Sequence, residues 1–230
     1  MLANALCFKG TWYEPFDVRR TKNGNFYTLD GDTVRVPYLR KSGSSYQYAS
    51  LEGFKILRLK YKKERERSSG GRRRFSMYLF LPNDKDGLFG LMEKFSTNPD
   101  LLNLEFNLKR QKIETLKIPK FRFRNKFEVS KMMKQLGVEI NLKRDAEILE
   151  GLEDLSMPID GMKIVQSCCI EVDEEGTKAA AVSHGRAIGC PMNPPPPTYF
   201  IADHPFIFMI REDTSTTPIF LGAVVNPLLE

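Results

Sequence analysis

Short apolar or alternating runs recur along the chain and are typical of β-strands, because a strand that covers a core carries apolar side chains on one or both faces. Turn-forming or charged residues separate these runs. The predicted strands span residues 34–38, 56–61, 75–81, 164–172, 206–211 and 219–225. The pattern predicts an α+β fold in which strands dominate the second half of the chain, with no internal repeat.

Two windows show apolar residues at helical spacing instead. The first follows Gly87 and the second ends before Gly137, a typical helix stop. Both are predicted to be helices that face the core, and methionine pairs at such spacing are typical of packing rather than of a cofactor site. The apolar positions are Leu88, Leu91, Met92 and Phe95 in the first window, and Val129, Met132, Met133 and Leu136 in the second.

The most informative segment follows the apolar strand at residues 164–172. An acidic stretch there leads into small residues, so the segment carries little bulk or charge that would keep it out of a sheet. Because side chains in a strand alternate between faces, the small residues Thr177, Ala179, Ala181 and Ser183 share one face, which could be buried without overpacking. An ordinary flexible loop with an alanine run remains the alternative. The segment, called the hinge below, consists of Glu174, Glu175, Gly176, Thr177, Lys178, Ala179, Ala180 and Ala181.

Further motifs occur in a fixed order along the chain. They are residues 4–12 with Trp12, residues 75–82, residues 118–121, residues 205–211 and residues 220–227. Together with the hinge, this order resembles the serpin family from end to end, and residues 202–206 are most similar to plant serpins of the Z type. The resemblance implies the carboxy-terminal part of the serpin fold, with mixed β-sheets, a few helices and an exposed reactive-centre loop.

The resemblance also implies that residues 1–230 form a single incomplete serpin domain, with the reactive-centre loop at about residues 174–200. The chain begins within a strand that, in the family, follows a large helical region and the first strands of the main sheet. A body without those strands would present open sheet edges and an apolar face that needs a cover.

In the family's mechanism a protease attacks the loop and is trapped when the cleaved hinge inserts into the main sheet as a new strand. Family spacing from Glu174 and Glu175 places the attacked bond between Cys190 and Pro191. A proline after the attacked bond has a tertiary amide and a fixed φ, which disfavours most serine proteases. The bond after Arg186 suits a trypsin-like enzyme better, but cleavage there would shorten the inserting strand.

Two positions depart from the family pattern near the place where the loop would insert. Gln166 and Ser167 stand where relatives commonly carry histidine and lysine, and Gln166 is expected to reach Asn4 on the neighbouring strand, since an amide both donates and accepts. Lys178 replaces a frequent glutamate and falls on the face of the hinge predicted to be exposed.

The resemblance therefore predicts a serpin of the serine-protease-inhibitor type that is non-inhibitory, because the amino-terminal helices and early main-sheet strands are absent. The first alternative is a functional suicide-substrate inhibitor of a serine or cysteine protease that uses the loop around Cys190. The second is a basic polyanion-binding or protein-interaction module.

Composition supports the second alternative only weakly. The net charge is +6 and the pI about 9.1, and residues 62–74 are rich in lysine and arginine. This run lies between two predicted strands and has a Ser-Ser-Gly-Gly centre, which favours a solvated hairpin tip. It lacks the interleaved aromatic residues of many nucleic-acid sites, so nucleic acid is not an expected partner.

Catalysis and metal binding are not expected either. Cys190 is near His184 and His204 along the chain, but a glycine- and proline-rich loop would not hold a nucleophile and a base in hydrogen-bond geometry. The two histidines and four cysteines lack zinc-ligand spacing. We expect no cofactor, no small-molecule substrate and no membrane partner, since apolar runs are far shorter than the roughly 20 residues of a spanning helix. No signal peptide is recognised, and the resemblance is compatible with a cytosolic or an extracellular location.

Overall fold

The computed structural model describes residues 2–63, 73–98, 107–135, 164–175 and 196–229. This part of the chain contains a 3₁₀ turn at Val18–Arg20 and the helices α1 (Leu88–Thr97) and α2 (Val129–Gln135). Its strands are β1 (Leu2–Phe8), β2 (Lys22–Tyr27), β3 (Thr33–Lys41), β4 (Ser44–Leu51), β5 (Phe54–Lys60), β6 (Phe75–Pro82), β7 (Lys109–Pro119), β8 (Phe121–Glu128), β9 (Ile164–Val172), β10 (Thr198–Ile201), β11 (Phe206–Glu212) and β12 (Pro218–Val224).

The chain packs as two compact units. The described residues of the first unit are 2–8, 123–135 and 164–170, which supply most of a three-stranded sheet of order β1-β9-β8 and helix α2. Strands β1 and β9 run parallel over seven paired positions, from Leu2 opposite Ile164 to Phe8 opposite Ile170. Cys168 and Ile170 are buried, as expected for a strand of mainly apolar residues.

The second unit, Lys9–Arg122 and Glu171–Leu229, is built on a larger sheet. Its described strands follow the order β12-β11-β6-β5-β4-β7-β3-β2, and β10 adds to β7 in parallel. The long strand β7 pairs with β4 through its first half and with β3 through its second half. That the whole of residues 1–230 forms one incomplete domain stays a prediction.

Helix α1 covers one face of this sheet. Leu88, Leu91 and Phe95 recur at intervals of three and four, which places them on one side of a helix, and all three are buried. They pack against Ile56 and Phe80 of the central strands, and the rings of Phe80 and Phe95 meet edge to face at 5.0 Å. The helix thus closes the core over β5, β6 and β11.

The structure confirms all six predicted strands, with ends that differ by a few residues. Strands prevail over helices in the described part of the second half, as predicted, and β1 to β6 extend the same pattern through the first half of the chain. Both helices exist, but Met92 and Met132 do not face the core, since 46% and 50% of their surfaces are exposed. Both methionines lie on the helix sides that face solvent.

One prediction arises from the close pairing of β11 and β12. Gly222 lies opposite Phe208, and a Cβ atom on Gly222 would come within 2.9 Å of the buried phenyl ring. We expect Gly222→Val to lower the free energy of unfolding by about 1–3 kcal/mol in urea denaturation, because the core cannot accept the added volume without moving the ring. Gly90→Ala is the control, since its Cβ meets nothing within 4 Å on helix α1. It should raise stability by roughly 0.5–1 kcal/mol. Unchanged stability of Gly222→Val would show that Phe208 moves aside freely.

Candidate functional site at the start of the hinge

The hinge begins directly after β9, where three acidic residues, Asp173, Glu174 and Glu175, end the described segment. Glu174 and Glu175 are therefore the hinge residues whose surroundings can be described. The other predicted site residues lie outside the described residues, and their roles stay predictions. They are Gly176, Thr177, Lys178, Ala179, Ala180, Ala181, Cys190 and Pro191.

Trp12 binds the backbone on both sides of Glu174. Its indole Nε1–H donates to the carbonyl oxygen of Asp173 at 2.9 Å, and its backbone N–H donates to the carbonyl oxygen of Glu175 at 3.0 Å. The backbone N–H of Phe16 donates to the carbonyl oxygen of Glu174 at 2.8 Å. Three successive carbonyl groups at the start of the hinge thus receive hydrogen bonds from residues 12–16.

The indole is itself fixed by packing. Trp12 is only 2% exposed, stacks on Tyr61 with ring centroids 4.5 Å apart, and meets the ring of Phe16 edge to face. Trp12 and Tyr61 also form an isolated antiparallel bridge. Tyr61 is the residue that follows the end of β5. Burial raises the pKa of the Tyr61 hydroxyl well above its ordinary value, so the ring stays neutral. The hinge start is therefore attached to the large sheet through an aromatic pair.

Glu174 is the buried charge of the site. Its side chain accepts a hydrogen bond from Thr21 Oγ1 at 2.6 Å and from Lys120 Nζ at 2.8 Å, one on each carboxylate oxygen. Burial pushes the pKa of Glu174 upward, but the hydrogen bonds from Lys120 and Thr21 outweigh burial, so the pKa lies below its ordinary value. The carboxylate is ionised at neutral pH and is held by partners from two distant parts of the chain.

Asp173 closes the turn that starts the hinge. Its carboxylate Oδ1 accepts the backbone N–H of Glu175 at 2.9 Å, an arrangement typical of aspartate at a turn. Burial nevertheless raises the pKa of Asp173 above its ordinary value. The pKa values of the two neighbouring acids thus shift in opposite directions, because the carboxylate of Glu174 contacts a cation and that of Asp173 contacts mainly a backbone amide.

The far side of the loop returns to the sheet through β10 and residues 202–206. His204 is buried, with Nε2 2.9 Å from the carbonyl oxygen of Pro82 and Nδ1 2.8 Å from Asp203 Oδ1. Burial raises the pKa of Asp203, but the hydrogen bond with His204 and the nearby positive charges together outweigh burial, so the pKa lies below its ordinary value. Both ring nitrogens are occupied by structural contacts, so His204 fixes the loop's return and is not placed as a catalytic base.

The register of β1 and β9 places Asn4 opposite Gln166. The two positions are neighbours across the strand pair, as the expected amide contact requires. The hydrogen bond between their side chains stays a prediction.

The basic run behind the polyanion alternative lies mostly outside the described residues, which stop at Lys63 and resume at Arg73. Its flanks, β5 and β6, pair as antiparallel neighbours, which agrees with a hairpin. Among the described residues, no group of histidine, cysteine, aspartate or glutamate side chains could hold a metal ion. None of the helices described here is long and apolar enough to cross a membrane.

Sequence reasoning identified Glu174 and Glu175 but missed the side chains that hold them. Lys120 falls within a motif that supports the resemblance, yet no role for it is apparent from the sequence, and Thr21 carries no signal at all. A buried acid needs a compensating partner, but many lysines precede Glu174, and only the fold selects one of them.

Comparison with known proteins places these contacts in a family. A family model described as Serpin (serine protease inhibitor) matches residues 1–227. Serpin-Z3 of Arabidopsis thaliana is 40% identical over 99% of this chain, and Serpin-Z2A of Triticum aestivum is 41% identical over 99%. Each match covers 56% of the relative, so the chain spans a little over half the length of these curated relatives.

A solved structure agrees with this placement. The structure of Arabidopsis AtSerpin1 in its native stressed conformation superposes with a TM-score of 0.73 at 34% identity, over 98% of this chain and 56% of that protein. The mixed sheets with few helices are those of a carboxy-terminal serpin portion. The chain belongs to the serpin family, and the plant Z-type serpins are among its similar relatives.

Proposed function

We propose that this chain is a protease-directed serpin whose loop is attacked at or near the Cys190–Pro191 bond, and that the 230-residue polypeptide is cleaved without trapping the protease. The chain acts as a substrate and not as an enzyme. The observation that carries the proposal is the attachment of the hinge start, where Trp12, Phe16 and Lys120 hold residues 173–175 at the end of β9.

The strand pair next to this attachment suits the added strand of the family's mechanism. A segment that turned back after Glu175 would run antiparallel to β9, and because β1 is parallel to β9, it would run antiparallel to β1 as well. A strand placed between β1 and β9 would therefore form antiparallel hydrogen bonds with both of them. Insertion of the hinge there requires the paired positions of β1 and β9 to separate first.

The same pairing argues against a stable trap. Within the described residues β1 is an outer strand of its sheet, and β9 is the strand with which it pairs. Separating β1 from β9 therefore removes the ladder that positions β1 in this sheet before the incoming segment can replace it. A strand flanked on both sides would stay in place during the same opening. Pro191 disfavours attack on the bond that precedes it, because its amide is tertiary and its φ is fixed. A trypsin-like enzyme is therefore expected to cut after Arg186, and this leaves a shorter segment to insert.

The proposal predicts the outcome of mixing the purified chain with a trypsin-like, a chymotrypsin-like and a papain-like protease. We expect a cleaved chain, an active protease and no covalent complex on a denaturing gel, with the cut mapped by mass spectrometry. A trypsin-like enzyme should cut after Arg186, and Arg186→Gln should remove that cut while it leaves the Cys190–Pro191 bond in place.

A covalent complex cut at Cys190 would contradict the proposal and establish the functional inhibitor. Resistance of the loop to all three proteases, with the rest of the chain folded, would contradict the idea that the loop is presented to proteases. A serpin of established inhibitory activity, run in parallel, shows that each protease is able to form a complex.

A further inference from the structure

Two cysteines face each other across the strand pair that the proposed insertion would open. Cys7 of β1 is paired in register with Cys169 of β9. Both are thiols, Cys7 exposed and Cys169 partly exposed. Cys168, the neighbour of Cys169, is buried on the other face of β9. The chain therefore carries a dithiol at one level of the ladder and a separate thiol in the core.

The geometry of paired strands suits a bond between the two sulfur atoms. Register partners in a sheet point to the same face, and neighbouring strands lie about 4.8 Å apart. Residues joined by a disulfide have Cα atoms roughly 4.4–6.8 Å apart. The ordinary spacing of paired strands therefore puts the register partners Cys7 and Cys169 within this range, whereas Cys168 faces the opposite side.

We propose that Cys7 and Cys169 are a modification site, a dithiol that a low-molecular-weight disulfide such as glutathione disulfide oxidises to a bond that fastens β1 to β9. One thiol loses its proton, attacks the oxidant and displaces one glutathione thiolate. The second thiol loses its proton, attacks the mixed disulfide and displaces the other glutathione. The protein gives up two electrons and two protons, and the oxidant becomes two thiols.

The position of Cys7 and Cys169 in the ladder determines what a disulfide between them would do. Cys7 and Cys169 form the last but one pair of the ladder, next to Phe8 and Ile170, at the end where the chain leaves β9 for the hinge. A segment that turns back from the hinge would have to pass between β1 and β9 at this level first. If the proposed loop insertion holds, oxidation closes the strand pair at the point of insertion and reduction reopens it. An exposed bond of this kind is readily reduced, as expected of a regulatory disulfide.

The first test maps the bond in the intact chain. After incubation with glutathione disulfide and alkylation of the remaining thiols, we expect the loss of two of the four alkylation sites and a peptide in which Cys7 is linked to Cys169. A thiol reductant should restore both sites. Cys168→Ser is the matched control and should keep the link, whereas Cys169→Ser should lose it.

The proposal is overturned if Cys7 and Cys169 remain alkylated by the reagent after oxidation, or if Cys7 links to Cys168 or Cys190 instead. The unsubstituted chain alone decides between these outcomes, so a variant that fails to fold does not affect the test. Hydrogen exchange gives an independent measure, since the backbone amides of residues 2–8 should exchange severalfold more slowly in the oxidised chain than in the reduced one. Equal exchange would show that the bond does not fasten the strand.

A peptide with the sequence of residues 176–189 separates this proposal from the proposed function. Uptake by the reduced chain and loss of uptake after oxidation supports both. Uptake of the peptide by both the reduced and the oxidised chain would show that the disulfide does not control insertion. If the link maps as expected and neither form takes up the peptide, the disulfide site stands and the insertion between β1 and β9 fails.

Discussion

Replacing Trp12 by alanine is expected to lower the free energy of unfolding by about 3–5 kcal/mol, the loss typical of a large aromatic side chain removed from a core. The substitution empties the space beside Tyr61 and Phe16 and removes the indole N–H that donates to Asp173. Urea denaturation followed by circular dichroism measures the effect.

Two further variants divide this loss into its causes. Trp12→Phe keeps an aromatic ring but lacks the Nε1–H, so it should lose less stability than Trp12→Ala and still leave the partly buried Asp173 carbonyl without this donor. The matched control is Tyr13→Ala, next in the chain and 65% exposed, which should change stability by no more than about 0.5 kcal/mol. If Trp12→Ala and Tyr13→Ala behave alike, Trp12 does not secure the hinge.

Replacing Lys120 by methionine is expected to cost about 2–4 kcal/mol at neutral pH, because it leaves the buried carboxylate of Glu174 with Thr21 but without its cation. The range is set below that of a fully buried pair, since a third of the Lys120 side chain is exposed. The double variant Lys120→Met with Glu174→Gln should recover part of the loss, since an amide carries no charge to bury.

The effect of Lys120→Met should depend on pH in a defined direction. Because the pKa of Glu174 lies below its ordinary value of 4.5 in the folded chain, the ion pair contributes stability above that value and loses it as the pH falls through the folded pKa. Without Lys120, burial raises the pKa of Glu174, and protonation relieves the penalty. The difference in stability between the two proteins should therefore be largest at neutral pH and shrink as the solution is acidified.

Lys112→Met serves as the control for an ion pair in solvent. Lys112 contacts Glu114 at 2.6 Å, but its side chain is 62% exposed, and such pairs contribute no more than about 1 kcal/mol. An equal loss from Lys112→Met and Lys120→Met would contradict the distinction between the two sites. A loss from Lys120→Met that does not change with pH would show that packing of the lysine stem, and not its charge, is responsible.

Sequence patterns predicted the elements that bury continuous or alternating apolar residues. The nine residues of β9 were delimited correctly because one face of that segment is apolar and buried at Cys168, Ile170 and Val172, and Asp173 ends the run. Strand β4 was missed, since Ser44–Leu51 is half-exposed along most of its length and carries little periodic signal. Strand β7 was missed apart from its last residues, because its first half is rich in charged side chains that point away from the core.

The site was predictable only in part for a different reason. The acidic and small residues of the hinge are local in sequence, so their pattern can be read directly. The partners of Glu174 come from Thr21 and Lys120, which the fold brings together from far apart in the chain. Which of many lysines neutralises a buried acid is decided by strand order and register, and a single sequence does not contain that information.

The anchoring of the indole also has an optical consequence. Trp12 is the chain's one tryptophan, so all indole emission arises from the junction between β9 and the hinge. The indole ring is buried against Tyr61 and donates a hydrogen bond to the Asp173 carbonyl, so it is screened from water. Any event that withdraws residues 173–175 from it changes the polarity that the excited indole senses. The fluorescence of Trp12 therefore reports, without an added label, whether the start of the hinge is still attached.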